Sequence, residues 1–197
     1  MTSQTTAPLR RAILIVALAN LAYFSVEFVM ARRIGSVSLF ADSVDFLEDA
    51  SVNLLILAAL SWSEKSRAKV GLGLAALLLV PGLATLWTIV TKVTHPQVPD
   101  PGLLSITGLG ALGVNLACAL LLARYREHAG SLTQAAFLSA RNDALANIAI
   151  ILAGLATAAT HAFWPDLIVG LGIAAMNLDA AKEVWQAARR EGVEAKA

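Results

Sequence analysis

Charged residues are scarce in this sequence. They make up 15% of its 197 residues, whereas soluble domains carry roughly a quarter. Hydrophobic residues make up 57%, and they fall in six apolar stretches. Each stretch is long enough to cross the hydrocarbon core of a bilayer as a helix, which takes about 20 residues. The composition therefore excludes a soluble globular domain and predicts an all-α integral membrane protein with six transmembrane helices.

Several chemical features are also missing. The single cysteine, Cys118, lies in an apolar run and can form no intrachain disulfide. The net charge is +1 and the basic residues are spread over predicted loops, so we expect no nucleic-acid partner. No nucleophile–base pair and no zinc-protease motif is present, which argues against an enzyme. The N-terminal segment has no small-residue cleavage site, so we expect the first apolar helix to be retained.

Breaks between the apolar stretches define the expected helices. Their predicted ranges are 10–32, 36–62, 68–93, 102–124, 130–160 and 165–186. The proline-rich segment 95–101 cannot be helical, because proline lacks a backbone donor and fixes φ. Pro165 is tolerated because it falls in the first turn of the last helix. We expect a single transmembrane domain at residues 1–190, followed by a short charged cytoplasmic tail at 191–197.

The basic residues lie unevenly on the two sides of this six-helix arrangement. One side has only Arg32, Arg33 and Lys92. The other side has Arg10, Arg11, Lys65, Arg67, Lys69, Arg124, Arg126, Lys182, Arg189, Arg190 and Lys196. The positive-inside rule therefore predicts that both termini are cytoplasmic. The expected location is a bacterial inner membrane, crossed several times.

Carboxylates inside an apolar helix are the unusual feature of the second predicted span, because a charge in the membrane costs several kcal/mol and usually has a function. The acids are Asp42, Asp45, Glu48 and Asp49. Spacing of four residues places Asp45, Asp49 and Asn53 on one stripe, with Asp42 close to it. Like charges one turn apart repel, so one protonates unless a cation lies between them. The stripe is therefore a proton carrier, a cation ligand, or both in turn.

The fifth predicted helix has a similar stripe, formed by Ser139, Asp143 and Asn147. Antiparallel to the second helix, it would place Asp143 level with Asp45, and Ser139 level with Asp49. Oxygen-bearing groups would then converge near the middle of the membrane, where transporters built from inverted repeats bind their substrates. Whether the matching stripes reflect a true internal repeat stays open.

Other polar residues in the spans have more than one interpretation. Arg141 is the only basic residue deep in a predicted span, and we expect it to form a structural ion pair with Glu48. Asn20 and Glu27 share a face of the first helix. They either support the carboxylates of the second helix or form a separate proton relay.

At these residues the sequence resembles the cation diffusion facilitator family. Residues 35–49, Gly-Ser-Val-Ser-Leu-Phe-Ala-Asp-Ser-Val-Asp-Phe-Leu-Glu-Asp, are similar to the signature of its second helix. Residues 20–27 and 164–172 are similar to its first and sixth helices, and the resemblance covers most of 12–190. It implies a homodimer that exports divalent metal from the cytoplasm in exchange for protons, with one metal per protomer between helices two and five.

The resemblance also implies a metal site. By position, Asp45, Asp49 and Asp143 match the metal-binding residues of the family, and Ser139 occupies the remaining ligand position. A serine hydroxyl is a poor zinc ligand, so Asn142, water or a neighbouring oxygen would complete the shell. An oxygen-rich site favours harder ions such as manganese but can admit zinc or cobalt. The expected cargo is zinc, cobalt, manganese, cadmium or iron, with no permanently bound cofactor.

Two departures from the family, Ser139 at a ligand position and a missing cytoplasmic domain, keep other functions open. Family members commonly carry a cytoplasmic domain after helix six, and the sequence resembles a short form that lacks it. A non-transporting membrane subunit derived from the transporter line is one alternative. A proton-coupled exporter of organic cations is another, although such a pocket needs aromatic walls and the tryptophans fall mostly near span ends, as interfacial anchors do.

Overall fold

The structure, a computed structural model, describes residues 6–59, 83–124 and 130–176, with the side chains of these ranges except at positions 6, 56, 58, 59 and 130–141. Every regular element in these ranges is a helix. The elements are α1 (Thr6–Ile34), α2 (Val37–Ala59), the described part of α3 (Leu83–Thr94), α4 (Pro101–Ala123), α5 (Gly130–Thr160) and the described part of α6 (Trp164–Met176). The predicted all-helical architecture is confirmed.

Membrane-spanning character is clearest in three of these helices. Stretches long and apolar enough to cross a bilayer are Ala7–Ile34, Pro101–Ala123 and Asn142–Thr160. Helix α2 is as long as α4, at 23 residues each, but it carries the four acidic residues identified in the sequence. It must therefore direct its polar face away from lipid.

Four helices form a closed ring that provides this shelter. Helix α1 packs along α2 and α4, and α5 packs along α4 and α2. The apolar core between them includes Leu39, Leu104 and Ile150, one each from α2, α4 and α5, all fully buried. The inner face of α2 is therefore covered by protein on both sides.

The turn between α1 and α2 is set by Gly35, whose φ of +64° favours glycine. The Ser36 backbone N–H donates to the Ala31 carbonyl at 3.0 Å, the hydrogen bond of a Schellman motif. Helix α1 therefore ends sharply, and α2 begins at Val37. This tight reversal places the acidic stripe of α2 next to the inner face of α1.

Helix α6 contacts the beginning of α2 through Gly170. A Cβ atom at that position would lie 2.6 Å from Val37 Cγ1 and 2.9 Å from the Ser38 backbone nitrogen. Any larger residue would therefore push the two helices apart. The missing side chain lets α6 lie directly against the first turn of α2.

Candidate functional site

The acidic stripe of α2 lies inside the helix ring. Asp42 is fully buried, and Asp45 and Asp49 are partly buried. One turn beyond, the Asn53 side-chain amide donates to the Asp49 backbone carbonyl at 2.8 Å. The stripe predicted from four-residue spacing is thus a continuous polar face along the interior of α2.

Asp143 reaches this face from α5. Its carboxyl group lies within side-chain hydrogen-bonding reach of Asp49, and its charge also acts on Asp45. Neighbouring carboxylates repel one another, and a shared proton or a cation between them relieves that repulsion. The structure therefore places Asp143 of α5 beside the acidic face of α2.

An amide chain sets the alignment of α5 against α2. Asn147 Nδ2 donates to Asp42 Oδ2 at 2.6 Å, and Asn115 Nδ2 of α4 donates to Asn147 Oδ1 at 2.9 Å. The alignment of Asn147 with Asp42 lies within one residue of the predicted pairing of Asp143 with Asp45. These buried side chains are linked by hydrogen bonds and hold three helices in one arrangement.

Helix α1 contributes Asn20, which is fully buried. Its Nδ2 atom donates to Asp49 Oδ2 at 3.4 Å, and its Oδ1 atom accepts from Cys118 Sγ of α4 at 3.7 Å. The Cys118 thiol donates to the amide oxygen of Asn20. This hydrogen bond fixes the amide with its nitrogen toward the Asp49 carboxylate. Asn20 therefore supports the carboxylates of α2, one of the two roles left open by the sequence.

The remaining predicted ligand lies beyond what is described. The side chain of Ser139 is outside the described residues, as is that of Arg141, the expected partner of Glu48. Asn142, the alternative to Ser139, is exposed. Among the described side chains, no three of His, Cys, Asp and Glu are arranged to hold one metal ion. The aspartates are neighbours in this conformation but do not form a closed coordination shell.

A second buried polar cluster lies at the start of α2, around Asp166 of α6. Asp166 Oδ1 accepts from the Ser36 and Ser38 hydroxyls at 2.6 and 2.7 Å, and Oδ2 accepts from the Val37 backbone N–H at 2.9 Å. Lys92 Nζ of α3 lies 3.4 Å from Oδ2. The carboxylate thus caps the positive N-terminal end of α2 and pairs with a buried ammonium.

Sequence reasoning missed the roles of Asn115, Lys92 and Asp166. Asn115 was detectable as a lone amide in the otherwise apolar helix four, because a buried amide needs a hydrogen-bond partner. Lys92 and Asp166 are opposite charges expected on the same side of the membrane. Only the packing shows which partners these side chains find.

Comparison with known families shows which family the chain belongs to. The transmembrane domain of the cation efflux family matches residues 13–189. The chain belongs to the cation efflux family. No curated protein matches it. The matched region contains all six helices except the first turns of α1, so the acidic stripe lies within the transport domain of a cation efflux protein.

Family membership establishes the general activity of this cation efflux protein. It is an integral membrane protein of a transporter family whose substrates are cations. The buried carboxylates agree with such a substrate, since negative oxygens are the protein groups that desolvate a cation at low cost.

Proposed function

We propose that this protein exports divalent transition-metal cations from the cytoplasm in exchange for protons. The binding site lies between α2 and α5 and uses Asp45, Asp49 and Asp143. The approach of the Asp143 carboxyl to Asp49 carries this proposal. In this arrangement acidic groups from two different helices face one another inside the ring formed by α1, α2, α4 and α5.

Electrostatics favours exchange over simple binding. Carboxylates that face one another in a poorly solvated interior cannot all remain charged. A divalent cation neutralises them in one state, and protons neutralise them in the other. The net charge of the site then changes little through the cycle, which keeps the energetic cost of crossing the hydrocarbon low.

The carboxylate oxygens support a broad range of cargo. Oxygen ligands favour harder ions such as manganese, and the same site can admit zinc, cobalt, cadmium or iron. Ser139 would supply a further oxygen from α5. The described acids do not form a closed shell in this conformation, and we propose that metal binding draws the side chains of α2 and α5 closer together.

Alternating access provides that movement. In the inward-facing state the aspartates bind metal and release protons; reorientation of the helices then opens the site outward, where protons displace the metal. We further propose that the protein works as a homodimer in a bacterial inner membrane. Binding should weaken as pH falls, because the ligands must be deprotonated.

Transport in proteoliposomes tests the proposal. Purified protein is reconstituted, a pH gradient is imposed, and uptake of zinc, manganese, cobalt and cadmium is followed with metal-sensitive dyes. We expect gradient-driven uptake in the unaltered protein and background uptake in Asp49→Asn, which keeps the shape of the side chain but removes its charge. Asp100→Asn, at an exposed position that begins α4, is the matched control and should transport normally.

The outcomes separate the competing functions. Full uptake by Asp49→Asn would exclude the aspartate site. No uptake of any metal, with uptake of an organic cation such as ethidium, would favour the organic-cation exporter. No uptake of either would favour a non-transporting subunit.

A further inference from the structure

Glu27 of α1 is the most isolated polar group among the described residues. Its side chain is 0% exposed, and neither carboxyl oxygen has a hydrogen-bond partner in the described part of the chain. A buried ionised carboxylate without partners is very costly. The hydrogen bonds of the described residues do not account for an ionised glutamate at this position.

Asp42 lies opposite Glu27 across the α1–α2 contact. The two carboxyl groups are within side-chain hydrogen-bonding reach of one another. Asp42 Oδ2 is already occupied by the amide of Asn147 at 2.6 Å, and Oδ1 has no donor among the described residues. Oδ1 can therefore accept one hydrogen bond, and a protonated Glu27 can donate it.

We propose that Glu27 and Asp42 form a proton-binding site separate from the metal-binding aspartates. While the metal site is empty, Glu27 holds the proton and hydrogen-bonds through it to Asp42 Oδ1; when metal binds, the proton leaves to water as H⁺, and the charge of the nearby divalent ion offsets the two carboxylates. This inference rests on the proposed metal–proton exchange and gives the exchanged proton a position of its own.

The surrounding charges explain how the two sites communicate. The ionisable groups that act on this pair are Tyr23 of α1, Asp45 and Asp49 of α2, and Asp143 of α5. While these aspartates lack a cation, their negative charge favours a proton on Glu27. A divalent ion among them reverses the local potential and expels that proton. By linkage, protonation of Glu27 weakens metal binding by the same factor.

Glu27→Gln tests this site because glutamine keeps the size of the side chain but cannot release a proton. Binding of Zn²⁺ and of Mn²⁺ to the purified protein is measured by calorimetry in buffers of different ionisation enthalpy, which counts the protons released. We expect Glu27→Gln to bind metal and release one proton fewer than the unaltered protein. Asp42→Asn should show the same loss, and Asp100→Asn should show none.

Infrared spectroscopy gives a readout that does not depend on transport. Metal-free protein should show the C=O stretching band of a protonated carboxylic acid, and Glu27→Gln should lose that component. Equal proton release by Glu27→Gln and the unaltered protein, or an unchanged infrared band, would overturn the proton site.

If the unaltered protein binds neither metal, the proposed function fails, while the band comparison still decides whether Glu27 carries a proton. If Glu27→Gln does not fold, Asp42→Asn and the unaltered protein decide: absence of the band from metal-free protein overturns the site.

Discussion

Among the described residues, buried charges near the start of α2 are stabilised by several partners. Asp166 shows this most fully, since four polar groups donate to it and Lys92 lies beside it, all inside the protein. Lys92 is also held by its hydrogen bond to the Gly35 carbonyl. The charges near the start of α2 are therefore structural.

Asp166→Asn should destabilise the protein by about 3–5 kcal/mol, because it leaves the buried Lys92 ammonium without its counter-charge. Thermal unfolding of detergent-solubilised protein, followed by size-exclusion chromatography, measures the effect. Asp100→Asn is the control. Asp100 caps α4 by accepting from the Leu103 N–H at 2.8 Å, and asparagine caps equally well. Equal stability of the two variants would contradict a structural role for the ion pair.

Ser139→His should shift selectivity toward zinc, because an imidazole nitrogen is a better zinc ligand than a hydroxyl. We expect the zinc-to-manganese affinity ratio to rise at least about tenfold, equivalent to ~1.4 kcal/mol. Competition binding of the two ions to purified protein measures the ratio. Unchanged selectivity would place Ser139 outside the coordination shell.

At the scale of helices, the position of α2 decides the chemistry. It lies in the ring with α1, α4 and α5, and it is anchored at its start by Asp166 and beside its acidic stripe by Asn147. These contacts fix which face of α2 meets α5. A rotation of α2 would separate Asp49 from Asp143 and expose acids to lipid.

Gly170→Ala tests the contact between α6 and α2. The added Cβ would meet Val37 and the Ser38 backbone nitrogen at less than 3 Å, so we expect a loss of about 1–3 kcal/mol from overpacking. Gly172→Ala is a matched control two residues away, where a Cβ would have no neighbour within 4 Å. It should be neutral or slightly stabilising, since alanine favours the helix. Thermal unfolding compares the two; equal midpoints would refute the close contact.

At the scale of the whole molecule, the helices and their connections define a transport domain with a sheltered polar interior. The uneven distribution of basic residues predicts the orientation of that domain in the membrane. The proposed export requires this orientation, because the metal must enter from the cytoplasmic side.

Cysteine labelling tests the orientation. In a Cys118→Ala background, we expect Gln97→Cys, between α3 and α4, to react with a membrane-impermeant maleimide added to intact cells. Ala197→Cys should react only after the membrane is permeabilised. The reverse pattern would invert the topology and the proposed direction of transport.

Sequence alone predicted the helical membrane fold, because apolar length and proline-rich breaks are local properties of the chain. Asp45, Asp49 and Asp143 remain its predicted metal ligands, since an acid inside an apolar span is visible without coordinates. The register of α5 against α2 was also predictable from the sequence, because two polar stripes on antiparallel helices can be aligned in few ways.

Partners were decided only by the tertiary structure. The pairing of Asp166 with Lys92 and of Asn115 with Asn147 joins residues far apart in the chain, and many other pairings fit the same sequence. Glu27 lies opposite Asp42 because the chain reverses at Gly35 and α2 packs back along α1. Hydrogen bonding and burial are properties of neighbours in space, so packing alone determines which polar groups are satisfied and which retain the capacity to bind a proton.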